Sequence, residues 1–134
     1  MNIEYAKIEH TDIIADLDEH ISNDELQKLI LDNKVIVVVK DGNICAWARY
    51  NLFWDNTPFL NMIYVFDNYR NQNIGKAIIE FWEKEMIDKG YKLAMTSTLS
   101  NEETQHFYRK LGYKDSGSLL LEDQPLEILF TKRI

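Results

Sequence analysis

A mixed α/β fold is predicted for this chain by three observations. Alternating or β-branched runs fill its first half, a long amphipathic helix follows them, and another strand-like run comes directly after that helix. Strand, helix and strand in that order form a right-handed parallel crossover, whereas the earlier runs are joined by turns short enough for antiparallel pairs. One domain over residues 1–134 is expected, because a chain of this length buries a single core without disulfides or metal.

Ile3 to Ile8 alternate as a first strand, and the pattern from Thr11 to Leu31 is helical. Within that stretch Ser22 and Glu25 form a capping box, and Leu26, Leu29 and Ile30 supply an apolar stripe. Val35 to Val39 reads as a buried strand, Asp41-Gly42 as a tight hairpin turn, and Ile44 to Phe53 as the returning strand. Asp55-Asn56-Thr57-Pro58 then turns the chain into Phe59 to Val65. A helix from Asn73 to Lys89 buries Ile74, Ala77, Ile78, Phe81 and Trp82, and Gly90 is placed to cap it. Tyr91 to Thr98 is the strand that completes the crossover. Ser100 and Glu103 make a second capping box for a helix ending near Leu111-Gly112. Tyr113 to Leu121 and Leu126 to Lys132 form a C-terminal hairpin turning at Glu122 to Pro125.

Composition removes several functions. Fifteen basic residues against 22 acidic ones leave a formal charge of −7, which argues against nucleic acid and suits a cationic amine or basic peptide. Cys45 lies in an apolar stretch and reads as a buried small hydrophobe. No basic leader and no apolar run of membrane length is visible, so a cytoplasmic protein with no membrane partner is expected. His10, His20 and His106 lack metal-ligand spacing, and no metal is expected.

Two motifs carry chemistry. Arg70-Asn71-Gln72-Asn73-Ile74-Gly75-Lys76-Ala77 is a Gly- and Asn-bearing turn opening the long helix. Backbone N–H groups at such a start, with the positive end of the helix dipole behind them, suit a phosphate or pyrophosphate, and Arg70 and Lys76 add charge. The second motif runs from Asn101 to Tyr113. On a helix Asn101, Gln105 and Tyr108 share one side, Phe107 and Leu111 face the core, and Tyr108 lies at the core's edge with its hydroxyl free.

With both motifs in order, the chain resembles the GNAT acetyltransferase superfamily. The turn Arg70 to Gly75 matches its Arg/Gln-x-x-Gly-x-Gly/Ala motif, while Asn101, Phe107-Tyr108 and Gly112-Tyr113 match its second motif. One position departs: Asn73 stands where the first motif glycine is usual, and Asn tolerates the left-handed backbone such a turn needs. The resemblance implies a GNAT-like acyl-CoA N-acyltransferase fold, with antiparallel N-terminal strands, a central parallel β-α-β junction and a C-terminal hairpin. It implies acetyl-CoA as cosubstrate, bound by Arg70, Asn71, Gln72, Asn73, Ile74, Gly75 and Lys76, its pyrophosphate on the N–H groups of the turn, chiefly Gln72 through Lys76. Its pantetheine arm would pair with the backbone of Ile63, Tyr64 and Val65. An N–H near Tyr64 or Val65 would polarise the thioester carbonyl. By the same resemblance Asn101 and Tyr108 would belong to the binding set, and Tyr108 would donate a proton to the departing sulfur.

The acceptor implied is a primary amine of a small molecule or peptide, with the pocket between Asp16–Ser22 and the loop carrying Trp54 and Asp55. Asp67, Asp55, Glu102 and His106 are candidates for a general base, and a water relay serves equally well. A homodimer is an open assembly. Rival readings are a protein N-terminal or lysine acetyltransferase, a non-catalytic CoA-binding regulatory module, and a nucleotide-binding domain. The last lacks the glycine pattern of dinucleotide binders and the Lys-Ser/Thr pair of a P-loop.

Overall fold

The computed structural model describes residues 1–134. Its strands are β1 (Asn2–Tyr5), β2 (Val35–Lys40), β3 (Asn43–Phe53), β4 (Thr57–Val65), β5 (Leu93–Leu99), β6 (Lys114–Leu119) and β7 (Glu127–Arg133). Its helices are α1 (Thr11–Ala15), α2 (Asn23–Leu31), α3 (Ile74–Asp88) and α4 (Thr104–Lys110). The strands form one mixed sheet in the order β1-β2-β3-β4-β5-β7-β6. β4 and β5 are parallel neighbours, while β1–β2, β2–β3, β5–β7 and β6–β7 are antiparallel. The expected mixed α/β class, with its parallel junction and C-terminal hairpin, is the one observed. No helix is long and apolar enough to cross a membrane. Contacts divide the chain into two compact units, Met1–Tyr50 with Met62–Trp82, and Asn51–Asn61 with Glu83–Ile134.

In the first unit the β-branched run Val35–Val38 is fully buried, as suits a strand covered on both faces. Val35 and Val37 join Ala6, Ile14, Leu26, Ile30 and Trp47 in one apolar cluster beneath α1 and α2. Tyr5 meets Phe81 of α3 edge-on at 6.1 Å, and Tyr50 meets Trp82 at 6.0 Å. Asp41 and Gly42 take φ of +54° and +79°, the two left-handed residues of a type I′ hairpin turn. Cys45 is buried, as its apolar surroundings require.

Two expectations in this unit are corrected. The first strand stops at Tyr5, because Ile8–His10 forms a 3₁₀ turn closed by the Lys7 N–H donating to His10 Nδ1 at 2.9 Å. The helical stretch from Thr11 to Leu31 is two helices, because Asp18 turns inward to Arg49. Arg49 donates from Nε to Asp18 Oδ2 at 2.7 Å and from Nη2 to Oδ1 at 3.3 Å, with both side chains nearly sealed from solvent. The Asp18 carboxylate also accepts from the His20 N–H at 3.1 Å, which fixes the segment in a non-helical path. Ser22 then restarts the helix as expected, its hydroxyl oxygen accepting from the Glu25 N–H at 3.2 Å.

In the second unit β7 lies between β5 and β6, pairing with β5 from Leu93–Arg133 to Leu99–Glu127. The parallel ladder between β4 and β5 is short, with Phe59 opposite Met95 and Leu60 opposite Thr96. Gly90 ends α3 as expected. At φ +93° it donates to the Ile87 carbonyl at 2.9 Å while Tyr91 donates to Met86 at 3.0 Å, a Schellman cap. Gly112, at φ +94°, closes α4 in the same way onto Arg109 and Tyr108. A buried polar knot anchors this half. Tyr113 donates its hydroxyl to Glu83 Oε2 at 2.7 Å, and Lys132 Nζ donates to both Glu83 oxygens at 3.0 and 3.1 Å.

The β3–β4 turn also differs from its expected position. Its central residues are Trp54 and Asp55, at φ +55° and +65°, with the Asn56 N–H donating to the Phe53 carbonyl at 3.2 Å. This is a type I′ geometry built without glycine. Pro58 falls inside β4 and is buried there.

Candidate functional site

The turn opening α3 has the backbone its sequence demands. Asn71 and Asn73 both sit at φ +61°, in the left-handed region where Asn is the best-tolerated residue after glycine. Asn73 thus does the conformational work of the missing glycine. Its carbonyl accepts the first bond of α3, from the Ala77 N–H at 3.1 Å. The N–H groups of Ile74, Gly75 and Lys76 therefore have no carbonyl within the helix to donate to. No acidic residue occupies the first turn of α3, so nothing there neutralises the positive end of its dipole.

Side chains around the turn are tethered. Lys40 Nζ donates to Gln72 Oε1 at 2.8 Å, and so brings a cation from the β2–β3 hairpin to the turn. Sequence spacing gave no sign of this contact, because the two residues are 32 apart. Arg70 folds back onto its own strand end. Its Nε donates to the Val65 carbonyl at 3.0 Å, its Nη2 pairs with Asp67 at 3.1 Å, and its guanidinium lies over the Tyr64 ring at 5.7 Å. Lys76 pairs loosely with Glu80 at 3.8 Å on an exposed face.

The strand that precedes the turn is ordered by aromatic packing and by its ladder. Tyr64 stacks on Trp47 with centroids 4.6 Å apart, and Phe66 meets the same indole edge-on at 5.9 Å. The Phe66 N–H donates to the Cys45 carbonyl on β3 at 2.9 Å. Alternation along a strand then turns the Tyr64 N–H toward β3, and those of Ile63 and Val65 toward the other edge.

In the second unit the Asn101–Tyr113 segment differs from its expected form. The helix begins at Thr104 with Glu103 before it, and no side chain caps it. The Ser100–Glu103 capping box is not made. Gln105 Nε2 instead donates to the Ser100 and Glu102 carbonyls at 2.9 and 2.8 Å, which holds the preceding residues in a turn. Asn101 and Glu102 therefore lie ahead of α4, and Asn101 is exposed. Tyr108 is the buried residue of α4, 3% exposed, while Phe107 and Leu111 are only half-buried. The ring fills the space between Tyr113 and Phe130, each 5.8 Å away, and so leaves no free edge position for the hydroxyl.

That hydroxyl is hydrogen-bonded to Thr96, whose own Oγ1 donates to the Leu60 carbonyl at 2.9 Å. Burial pushes the Tyr108 pKa above the ordinary tyrosine value. The Glu102 and Glu127 carboxylates add to this. Tyr108 thus keeps its proton at neutral pH. The four base candidates occupy ordinary positions. Asp67 is paired with Arg70, Asp55 sits in the β3–β4 turn, and Glu102 Oε2 lies 3.5 Å from Thr98 Oγ1. His106 lies on an exposed helix face near Glu103 and Arg109.

Comparison with known proteins places these features in a family. An uncharacterized protein of Bacillus subtilis (strain 168), YyaT, is 30% identical over 123 residues, spanning 87% of this chain and 80% of that one. The fold matches that of Ard1 from Thermoplasma volcanium with a TM-score of 0.86 at 12% identity, covering 99% of this chain and 97% of that one. It also matches PaiA N-acetyltransferase from Thermoplasma acidophilum, crystallised with coenzyme A. There the TM-score is 0.83 at 16% identity, covering 99% and 98% of the two chains. Residues 5–113 match the model of the Acetyltransferase (GNAT) family, and the chain belongs to that family.

Proposed function

We propose that the chain is an N-acetyltransferase that moves the acetyl group of acetyl-CoA onto a primary amine by direct attack. Acetyl-CoA supplies the acetyl group already activated as a thioester. The observation that carries this reading is the α3 turn, where two left-handed asparagines precede N–H groups that have no helical acceptor. Those donors, from Gln72 through Lys76, fit a pyrophosphate, with Lys76 and the Lys40 tethered to Gln72 adding positive charge. Asn71 and Arg70 shape the turn, Arg70 by tying it to the Val65 carbonyl.

Each remaining residue has one task. Ile63 and Val65 turn their N–H groups away from β3 toward an extended arm, the Val65 carbonyl being held by Arg70, and Tyr64 stiffens that edge through its stack on Trp47. The Val65 N–H is the donor oriented to polarise a carbonyl lying along it. Asn101 contributes from the turn before α4. Tyr108 holds a proton on its hydroxyl and delivers it to the departing sulfur. Its raised pKa makes it a poor acid toward a solvated thiolate but a suitable one toward a buried thiolate, whose own conjugate-acid pKa burial also raises.

Calorimetric titration with acetyl-CoA, against ATP and NAD as comparators, tests the reading. Selective binding with a Kd in the micromolar range is expected, and Gly75→Glu, which puts bulk and negative charge at the turn, is expected to abolish it. Equal affinity for ATP, or a Gly75→Glu protein that binds acetyl-CoA unchanged, would overturn it. Binding without acetyl transfer to any amine would favour a regulatory CoA-binding module.

A further inference from the structure

A cleft of about 340 Å³ opens in the second unit, walled by Phe53, Phe59, Leu119 and Leu129. Asn51, Asn61 and Ser97 supply its polar surface, and no charged side chain lines it. Register fixes its location. Phe59 stands opposite Met95 in the short β4–β5 ladder, Ser97 is two residues further along the same face, and Leu129 is the β7 partner of Ser97. The Tyr108 hydroxyl belongs to the opposite face, with Leu60, Thr96 and Phe130, the β7 partner of Thr96. Cleft and proton donor thus flank the end of one parallel ladder from its two sides.

We infer that this cleft takes the acceptor, and that the acceptor is a small monoamine with an aryl or branched apolar body. The inference rests on the acetyltransferase reading above. The size is at the small end of ligand sites, which run from about 300 to 1,000 Å³. Phe53 stacks on Phe59 at 5.9 Å and lies tilted by 46° against Trp54 at 4.7 Å, giving aromatic walls suited to an aromatic ring or a branched chain. The uncharged lining decides between amine classes. A primary ammonium has a pKa of about 10 in water, and an apolar cleft without a carboxylate lowers it, so the neutral nucleophile forms without a dedicated base. A polyamine or aminoglycoside would bring further ammonium groups into the same lining, where none finds a partner. The amine nitrogen forms the new bond to the acetyl carbon as the carbon–sulfur bond breaks. The amine's surplus proton passes to solvent, the thiolate takes the proton of Tyr108, and a proton from solvent restores the phenol.

Trp54 makes a local reporter. It is 80% exposed beside Phe53, whereas Trp47 and Trp82 are fully buried. 2-Phenylethylamine, spermidine and a short peptide with a free N-terminus are titrated against Trp54 emission without acetyl-CoA, then compared by kcat/KM from thiol release. Saturable emission change with 2-phenylethylamine and at least a tenfold kcat/KM advantage over the other two are expected. Phe59→Ala and the cleft-filling Ser97→Leu should each raise KM for this amine tenfold or more, while calorimetric acetyl-CoA affinity stays as in the parent. Preference for spermidine or the peptide by a protein that binds acetyl-CoA overturns the inference and leaves the acetyltransferase standing, as does a Ser97→Leu protein with unaltered KM. Failure to bind acetyl-CoA at all overturns the reading beneath it.

Discussion

Tyr108→Phe separates chemistry from stability more sharply than any other substitution. The change keeps the ring between Tyr113 and Phe130 and removes only the hydroxyl bonded to Thr96. Thr96 keeps its own acceptor, the Leu60 carbonyl at 2.9 Å, so no donor is stranded. The stability lost is that of one neutral hydrogen bond, about 0.5–1.5 kcal/mol. At roughly 2.1 cal/mol/K per residue, unfolding of this chain carries about 0.28 kcal/mol/K, so Tm should fall by about 2–5 °C. A positioned general acid contributes about 10²–10⁴ in rate, or about 2.7–5.4 kcal/mol of barrier. Turnover should therefore drop at least a hundredfold, in a protein that still melts within a few degrees of the parent and binds acetyl-CoA with the same Kd.

The assay pairs steady-state thiol release with calorimetry and a melting curve on the same preparation. Its pH dependence adds a second check. Because burial holds the Tyr108 pKa above about 10, the alkaline side of the parent's kcat profile should show no loss assignable to this group below that pH. A Tyr108→Phe protein with kcat within threefold of the parent would remove Tyr108 from the reaction. A drop in kcat matched by a loss of acetyl-CoA affinity would make it a packing residue instead.

Asp18→Asn leaves Arg49 buried without its counter-ion, and should cost about 3–5 kcal/mol, lowering Tm by about 10–18 °C in a thermal melt. Asn73→Gly should keep acetyl-CoA affinity, since glycine adopts φ +61° without penalty, whereas Asn73→Val forces a β-branched residue there. The valine variant should lose about 1–2 kcal/mol of stability and bind acetyl-CoA more weakly by calorimetry. The Arg109 guanidinium, bonded to both Asp115 oxygens at 2.9 Å, holds that carboxyl below its usual range. A depressed pKa gives stability that is fully present above the unfolded value, about 3.9, and lost as pH falls through the folded one. Asp115→Asn should therefore flatten stability against pH below about pH 4 in urea melts, and an unchanged acid limb would discount the pair.

Much of the fold was legible because it is written in local pattern. The β-branched run of β2, the Asp41-Gly42 turn, the Gly90 cap and the asparagines before α3 each depend on residues a few positions apart. The left-handed backbone at Asn73 is such a case, since it follows from residue type and helix start alone. What pattern could not supply is the partner of a polar side chain across long sequence distance. Asp18 breaks the expected helix only because Arg49 is buried opposite it, 31 residues on, and Lys40 reaches the α3 turn only through Gln72.

Tyr108 shows the same limit at the candidate site. Ranking α4 by hydrophobicity assigns the core to Phe107 and Leu111, but a tyrosine ring carries nearly the same apolar area as phenylalanine and needs only one acceptor at its tip. Thr96 meets that need, itself anchored on the Leu60 carbonyl across the β4–β5 ladder. Burying the hydroxyl is then inexpensive, and the outcome bears on chemistry as well as packing. A phenol fixed in a sealed place, with its pKa raised, stays protonated until a thiolate in an equally dry setting makes the transfer favourable. On the proposed mechanism the motif names the residue that carries the proton, and its burial beside Thr96 sets the conditions under which that residue would release it.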